Sequence, residues 1–126
     1  DDVEAEELAG HALTTRTQSA DFAASLVARG VAKMVVIARG ADGSVLASAE
    51  QRLFVKAATV KVVSKVGAGD SFVAGFVLAL ARGGNPAQAL AYGAAAASAA
   101  VMTDATQLCK LADVERVLPE CWVETV

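Results

Sequence analysis

The stretch Val66-Gly67-Ala68-Gly69-Asp70-Ser71 passes directly into the apolar run Phe72-Val73-Ala74-Gly75-Phe76-Val77-Leu78-Ala79-Leu80. That run has helical spacing, so the glycines stand where a helix begins. Unpaired N–H groups and the positive end of the dipole are exposed at such a point, which suits an anion such as a phosphate. Two glycines also leave little side chain between the backbone and whatever approaches it. Asp70 adds a carboxylate that a bound phosphate repels, and such a placement has a chemical use. The amides of Gly67, Ala68 and Gly69 can cradle a transferring phosphoryl group while Asp70 takes the proton of an attacking hydroxyl. A plainer reading competes: aspartate in a first helical turn complements the dipole, and Gly-x-Gly is often only a tight turn. Phe72 in place of a third glycine excludes a dinucleotide fingerprint. The lack of a following Gly-Lys-Ser/Thr excludes a Walker loop.

At 126 residues the chain is expected to form one domain at most. An apolar fraction of 55% with 20% charged residues supports a packed core rather than disorder. The net charge of −3 gives no basic footprint, and aromatics at 5% give no base-stacking platform, so nucleic acid is excluded as a partner. Two cysteines, Cys109 and Cys121, make no disulfide framework, and no signal peptide is read. Reduced thiols in a cytoplasmic protein are therefore expected. His11 is the single histidine and reads as a surface residue near a helix end, so His/Cys metal chemistry lacks ligands. The alanine-rich tract from Pro86 to Met102 falls short of the ~20 strongly apolar residues of a membrane span, and reads as a helix buried in protein.

Residues 3–10 read as a short helix ending at Gly10, and 17–29 as a second with Phe22, Leu26 and Val27 on one face. Lys33 to Arg39 is a near-continuous apolar strand, as expected of one buried on both faces of a parallel sheet. Gly40-Ala41-Asp42-Gly43 is a turn, 44–49 the return strand, and 53–55 and 59–63 short extended pieces. Three helices follow: one from the Gly-Ala-Gly-Asp segment to Arg82, one from Asn85-Pro86 to about Met102, and one from near Asp113 to Pro119. This order fits part of a layered α/β domain, whose ligands bind at the carboxyl ends of strands.

These residues resemble the C-terminal part of the ribokinase/phosphofructokinase-B family of sugar kinases, and the resemblance runs from Asp1 to Leu118. Its most specific part is Val66 to Phe76, which is similar to the family's C-terminal signature. Asp1-Asp2-Val3-Glu4 resembles the Asn-x-x-Glu motif, and Ala38-Arg39-Gly40-Ala41-Asp42-Gly43 resembles the nucleotide-loop segment. Thr106-Gln107-Leu108-Cys109 is similar to the hexose-phosphate branch. The resemblance implies an α/β fold, the C-terminal portion of a ribokinase-like three-layer α/β/α domain. It implies ATP-dependent phosphorylation of a sugar phosphate, fructose 6-phosphate or fructose 1-phosphate, by a protein that is a homodimer at full length and touches no membrane.

Carried over residue by residue, it makes Asp70 the base and the amides of Gly67, Ala68 and Gly69 the anion hole. Ala38, Arg39, Gly40, Ala41, Asp42 and Gly43 would line the ATP phosphates and ribose, with Asp1 near the phosphates and Ala94 and Ser98 near the adenine. Glu4 would hold Mg²⁺ through water. Ser64, Val66, Ala100, Thr103, Ala105 and Gln107 would surround a monovalent cation such as K⁺, seen in some relatives. The chain departs from the pattern at Asp1 (Asn is usual), Lys65 (Thr), Thr103 (Asn) and Ala105 (Gly). The family's N-terminal portion, with its sugar-binding aspartate and lid, is not read in these residues, so the chain is expected to be a fragment.

Local alternatives stand beside each assignment. Asp42-Gly43 is a common hairpin dipeptide. Glu4 lies among Glu6 and Glu7 in an acidic first turn, an ordinary solvated cap. Ala94 and Ser98 share a face of an alanine-rich helix, where small residues serve packing, and Lys61 and Lys65 can be merely solvated. A ribokinase-like kinase of a free sugar or nucleoside, or a non-catalytic nucleotide-binding fragment, are the alternative functions.

Overall fold

In the computed structural model, which describes residues 1–126, the chain divides into two units: residues 1–55 with 124–126, and residues 56–123.

The first unit begins with helix α1 (Asp2–Ala9). Asp1 caps it through a capping box with Glu4, and Gly10 ends it in the left-handed region at φ +75°. Helix α2 (Arg16–Ala28) has a second such box between Thr15 and Gln18. It buries Ser19, Ala20, Ala23 and Leu26, one helical face, whereas Phe22 and Val27 of the expected face are only partly covered.

Strand β1 (Met34–Ala38) pairs antiparallel with β2 (Ser44–Ser48), Met34 opposite Ser48 and Ala38 opposite Ser44. Strand β2 pairs antiparallel with β3 (Arg52–Val55), and β4 (Val123–Thr125) completes the order β1-β2-β3-β4. The strand expected at 33–39 and its return strand at 44–49 are thus found, joined as an antiparallel hairpin. β1 is the outermost strand, with a partner on one side only, and of its residues only Ile37 is buried. The strand buried through is β2, flanked on both sides. Its Val45 and Ala47 join Ala20, Ala23, Ile37 and Phe54 in the core.

In the second unit, the segment expected to be extended at 59–63 forms no strand. Val62 and Val63 are exposed there, and the Val63 amide donates to the Val101 carbonyl at 2.7 Å. Helix α3 (Ala68–Ala81) and helix α4 (Pro86–Val101) form a helical hairpin about the turn at Gly83, whose φ is +84°. Asn85 caps α4 in a box with Gln88, with Pro86 at its first position. Helix α5 (Leu111–Val117) lays Val114 and Val117 into the interior beside α4.

The α3–α4 contact is made through glycine. A Cβ built on Gly75 would stand 2.8 Å from the Ala96 Cβ and 3.0 Å from the Tyr92 carbonyl oxygen. One on Gly93 would meet the Phe72 carbonyl oxygen at 3.0 Å. The backbones approach so closely that neither position has room for a methyl group. Ala89, Ala96 and Ala100 continue the face of Gly93, and Ala94, Ala95 and Ala99 are buried on the other sides of the helix, so α4 is covered nearly all round although its side chains are small.

Overpacking of this kind costs about 1–3 kcal/mol. Gly75→Ala and Gly93→Ala are each expected to destabilise by that amount, despite alanine's better helix propensity. Thermal or denaturant unfolding measures it, and a stability equal to wild type would show that the helices separate freely.

Candidate functional site

The Gly-Ala-Gly-Asp segment lies where the sequence puts it, at the start of α3. Gly67 is the N-cap residue with φ +81°, a conformation other residues rarely adopt. The turn is tied by the Val66 amide to the Ser64 hydroxyl at 3.2 Å and by the Ala68 amide to the Lys65 carbonyl at 3.3 Å. The Ala68 amide thus has a partner inside the protein. Ser71 begins the regular ladder by donating to the Gly67 carbonyl at 2.9 Å. Asp70 stands in the first helical turn and is exposed, as are Lys61 and Lys65. Below them Phe72 and Phe76 stack with ring centres 6.1 Å apart.

Gly69 differs from the other glycines of this unit. Its φ is not in the left-handed region, and a Cβ there would have no atom within 4 Å. Neither conformation nor internal packing requires glycine at this position.

The turn at Ala38–Gly43 is a short 3₁₀ helix (Gly40–Asp42) closing the β1–β2 hairpin. Gly43 is needed by the fold: its φ is +125°, and a Cβ would sit 1.9 Å from the Val55 carbonyl oxygen. The Arg39 side chain is largely buried at 11% exposure, turned towards the connection between α1 and α2. Its guanidinium donates to the Leu13 carbonyl at 2.9 Å, the Ser19 hydroxyl at 2.5 Å and the Thr14 carbonyl at 3.1 Å. Asp42 is bonded by Arg16 at 2.6 Å and by Arg39 at 3.2 Å. The hydrogen bond from Arg16, with a smaller one from Arg39, holds its carboxyl below the ordinary aspartate range. Gly40 and Ala41 remain exposed, so their backbone is the part of the turn open to a ligand.

Ala94 and Ser98 both lie on α4 and are buried. The Ser98 hydroxyl accepts from the Ala58 amide at 3.3 Å. Cys121 lies beside this pair; burial pushes its thiol up, opposed by hydrogen bonds from the Ala58 backbone and Ser98. Here the structure gives these two residues packing and bonding duties inside the protein.

Of the residues assigned to a monovalent cation, the structure gathers several. The Thr103 hydroxyl lies 2.9 Å from the Ala100 carbonyl, 3.4 Å from that of Asp104 and 3.3 Å from that of Gln107. Ser64 joins the same region, its amide donating to the Val101 carbonyl at 3.2 Å. Backbone amides already serve two of them, Thr103 N–H donating to the Ala100 carbonyl at 3.1 Å and Gln107 N–H to that of Asp104 at 2.9 Å, so the Gln107 carbonyl is the one that keeps a lone pair free of a backbone donor. That donor chemistry fits a hard monovalent cation. Val66 and Ala105 are exposed near these segments in sequence and take no such bond through their carbonyls. For Mg²⁺, Glu4 serves as the acidic member of the α1 capping box, bonded to the Asp1 nitrogen, while Asp1 accepts from the Glu4 amide at 2.9 Å. No group of three or more His, Cys, Asp or Glu is placed to hold a metal. At 77% side-chain exposure, Glu4 fits a metal's water shell rather than direct ligation.

Sequence reading missed Arg16. Its one signal was a cation at the start of a helix, where the dipole disfavours it. No helix of the chain is long and apolar enough to cross a membrane.

The chain is 34% identical over 113 residues to the ATP-dependent 6-phosphofructokinase isozyme 2 of Mycobacterium tuberculosis, covering 90% of this chain and 33% of that protein. It is 36% identical over 105 residues to the 1-phosphofructokinase of Haloferax volcanii, covering 83% and 34% respectively. Phosphofructokinase-2 from Escherichia coli, solved with substrates and products, superposes with a TM-score of 0.87 at 32% identity, over 94% of this chain and 38% of that one. The same enzyme has been solved with potassium and as a tetrameric inhibited form. The chain thus spans about a third of the length of the curated relatives it matches. Its α/β architecture is ribokinase-like, and the profile of the pfkB family carbohydrate kinases matches residues 2–113, so the chain belongs to that family.

Proposed function

We propose that residues 1–126 are the nucleotide-binding and catalytic C-terminal part of an ATP-dependent kinase that phosphorylates a sugar phosphate, fructose 6-phosphate or fructose 1-phosphate. Gly69 carries this reading. Glycine in a helix costs up to about 1 kcal/mol relative to alanine. Within residues 1–126 no packing contact asks for that cost at Gly69, whose Cβ position faces open space. A group outside the chain that must approach the backbone accounts for it, and the first-turn amides make that group an anion. The exposed Asp70 beside it is then a base rather than a cap, since a cap needs no bare backbone next to it.

In this mechanism the first-turn amides receive the γ-phosphoryl group and stabilise the charge that grows on its oxygens. Asp70 accepts the proton of the sugar hydroxyl as that oxygen attacks. The exposed backbone of Gly40 and Ala41 lies against the nucleotide, and Lys65 adds positive charge on the approach to the anion loop. Glu4 would hold Mg²⁺ through its water shell, and that ion would supply neutralisation of phosphate charge. The carbonyls gathered about Thr103 would hold K⁺ and supply it with oxygen ligands. The enzyme is cytoplasmic and dimeric, with neither nucleic acid nor membrane as partner.

Asp70→Asn in the complete enzyme is expected to lower kcat by about 10²–10⁴ with ATP affinity nearly unchanged, the usual effect of losing a general base. Steady-state kinetics and calorimetry check this, and a loss below about tenfold would reduce Asp70 to a helix-capping carboxylate. Gly69→Ala separates the anion cradle from folding. It is expected to leave stability equal or raise it by up to about 1 kcal/mol, yet to weaken ATP binding and turnover. Normal turnover in this variant would remove the cradle. The bare 126-residue chain should bind ATP weakly, turn over no sugar phosphate and self-associate, since Val62, Val66, Val73, Val77 and Leu78 are exposed. Sedimentation and a coupled assay test this. A monomer that phosphorylates sugar would contradict it.

A further inference from the structure

Arg16 is the first residue of α2, the end of a helix where its charge opposes the dipole. Compensation comes from outside the helix. Its Nη2 donates to the Asp42 Oδ1 at 2.6 Å, and its Nε lies 3.2 Å from both Asp42 oxygens. Nη1 stands 3.6 Å from Glu124 on β4. The guanidinium carbon lies 3.7 Å from the centre of the Phe54 ring on β3, a side chain with no solvent exposure. One side chain therefore joins α2, β3 and β4 to the 40–42 turn.

The turn needs such a tie. Within its own backbone it has the Arg39 amide to the Gly43 carbonyl at 2.8 Å, then two longer bonds, Asp42 to Arg39 at 3.2 Å and Gly43 to Gly40 at 3.3 Å. A Cβ on Gly40, whose φ is +58°, would touch nothing. Gly40 and Ala41 have no packing to hold them, so the order of the turn depends on the Asp42 side chain gripped from both sides. Arg39 grips it from within the hairpin and Arg16 from α2.

We infer that Arg16 is a positioning residue for nucleotide binding: by holding Asp42 it keeps the 40–42 turn in its receptive conformation before nucleotide arrives. This rests on the proposed reading of that turn as the nucleotide loop. A turn ordered in advance spares the ligand the cost of ordering it, so the latch acts on affinity and leaves the chemical step alone. The planar fork of arginine is essential to the grip, because it bonds a carboxylate while lying flat on a ring, and a lysine cannot do both.

In the complete enzyme, the experiment compares wild type, Arg16→Met, which keeps an apolar stem over Phe54, and Arg16→Lys. Amide exchange at residues 40–43 is expected to quicken about tenfold in Arg16→Met while α3 and α4 keep their protection. The Kd for ATP should rise about tenfold, with kcat at saturating ATP within about twofold of wild type. Arg16→Lys should recover only part of each effect. Two results overturn the proposal with wild-type ATP binding intact: unchanged ATP affinity in Arg16→Met, or faster exchange spread evenly over the whole fold. Failure of wild type to gain protection at 40–43 on adding ATP overturns the nucleotide reading itself, and the latch's purpose with it. The two failures are thus told apart by the wild-type protein.

Discussion

The near-contact of the α3 and α4 backbones is the constraint on which the second unit depends. Gly75 and Gly93 admit it, and the Ala96 Cβ and the Phe72 carbonyl fill the space where their side chains would be. Because the helices cannot slide without a clash, the start of α3 has a fixed position relative to α4. The first-turn amides, Asp70, and the carbonyls about Thr103 just beyond the end of α4 are all hung on this hairpin. Under the proposed reading this close packing matters, since donors already in place need no reorganisation when charge develops.

The first unit solves a different problem with charge. Its hairpin turn carries exposed backbone, and exposed backbone in a tight turn is free to move unless something outside the turn restrains it. A buried apolar anchor would cover the very surface a ligand needs. Asp42 provides restraint without cover, because its carboxylate is held from the side by Arg16 and Arg39. Surface ion pairs are worth little by themselves. This one gains from two arginines, from the stacking of Arg16 on Phe54, and from the burial of Arg39 against the Leu13 and Thr14 carbonyls.

Local signals made much of this legible in the sequence. Asn85-Pro86 announced the start of α4 because capping chemistry is set by neighbours, and Gly10 marked the end of α1 for the same reason. The start of α3 at the Gly67–Asp70 loop was legible because a glycine pair directly before an apolar run of helical spacing marks a helix N-terminus. The stretch 59–63 carries strand-forming residues, yet the Val63 amide turns to the end of α4, a long-range partner that no window of sequence contains. Arg16 and Asp42 lie 26 residues apart, so their pairing was invisible for the same reason.

The glycines sort the site from the scaffold. Gly43 is explained by Val55, Gly75 and Gly93 by each other's helices, and Gly67 by its positive φ. Each of these has a reason inside the protein. The same test divides the polar groups: Arg39, Ser98 and Asp42 are bound to partners, as are the Asp1 and Glu4 caps. What remains without an internal reason is Gly69 and the exposed Asp70 beside it. Selection for stability alone favours alanine over glycine in such a helical turn. The proposed reading rests on that pair: it gives the amide of Gly69 to a phosphoryl group and the carboxylate of Asp70 to the hydroxyl that attacks it.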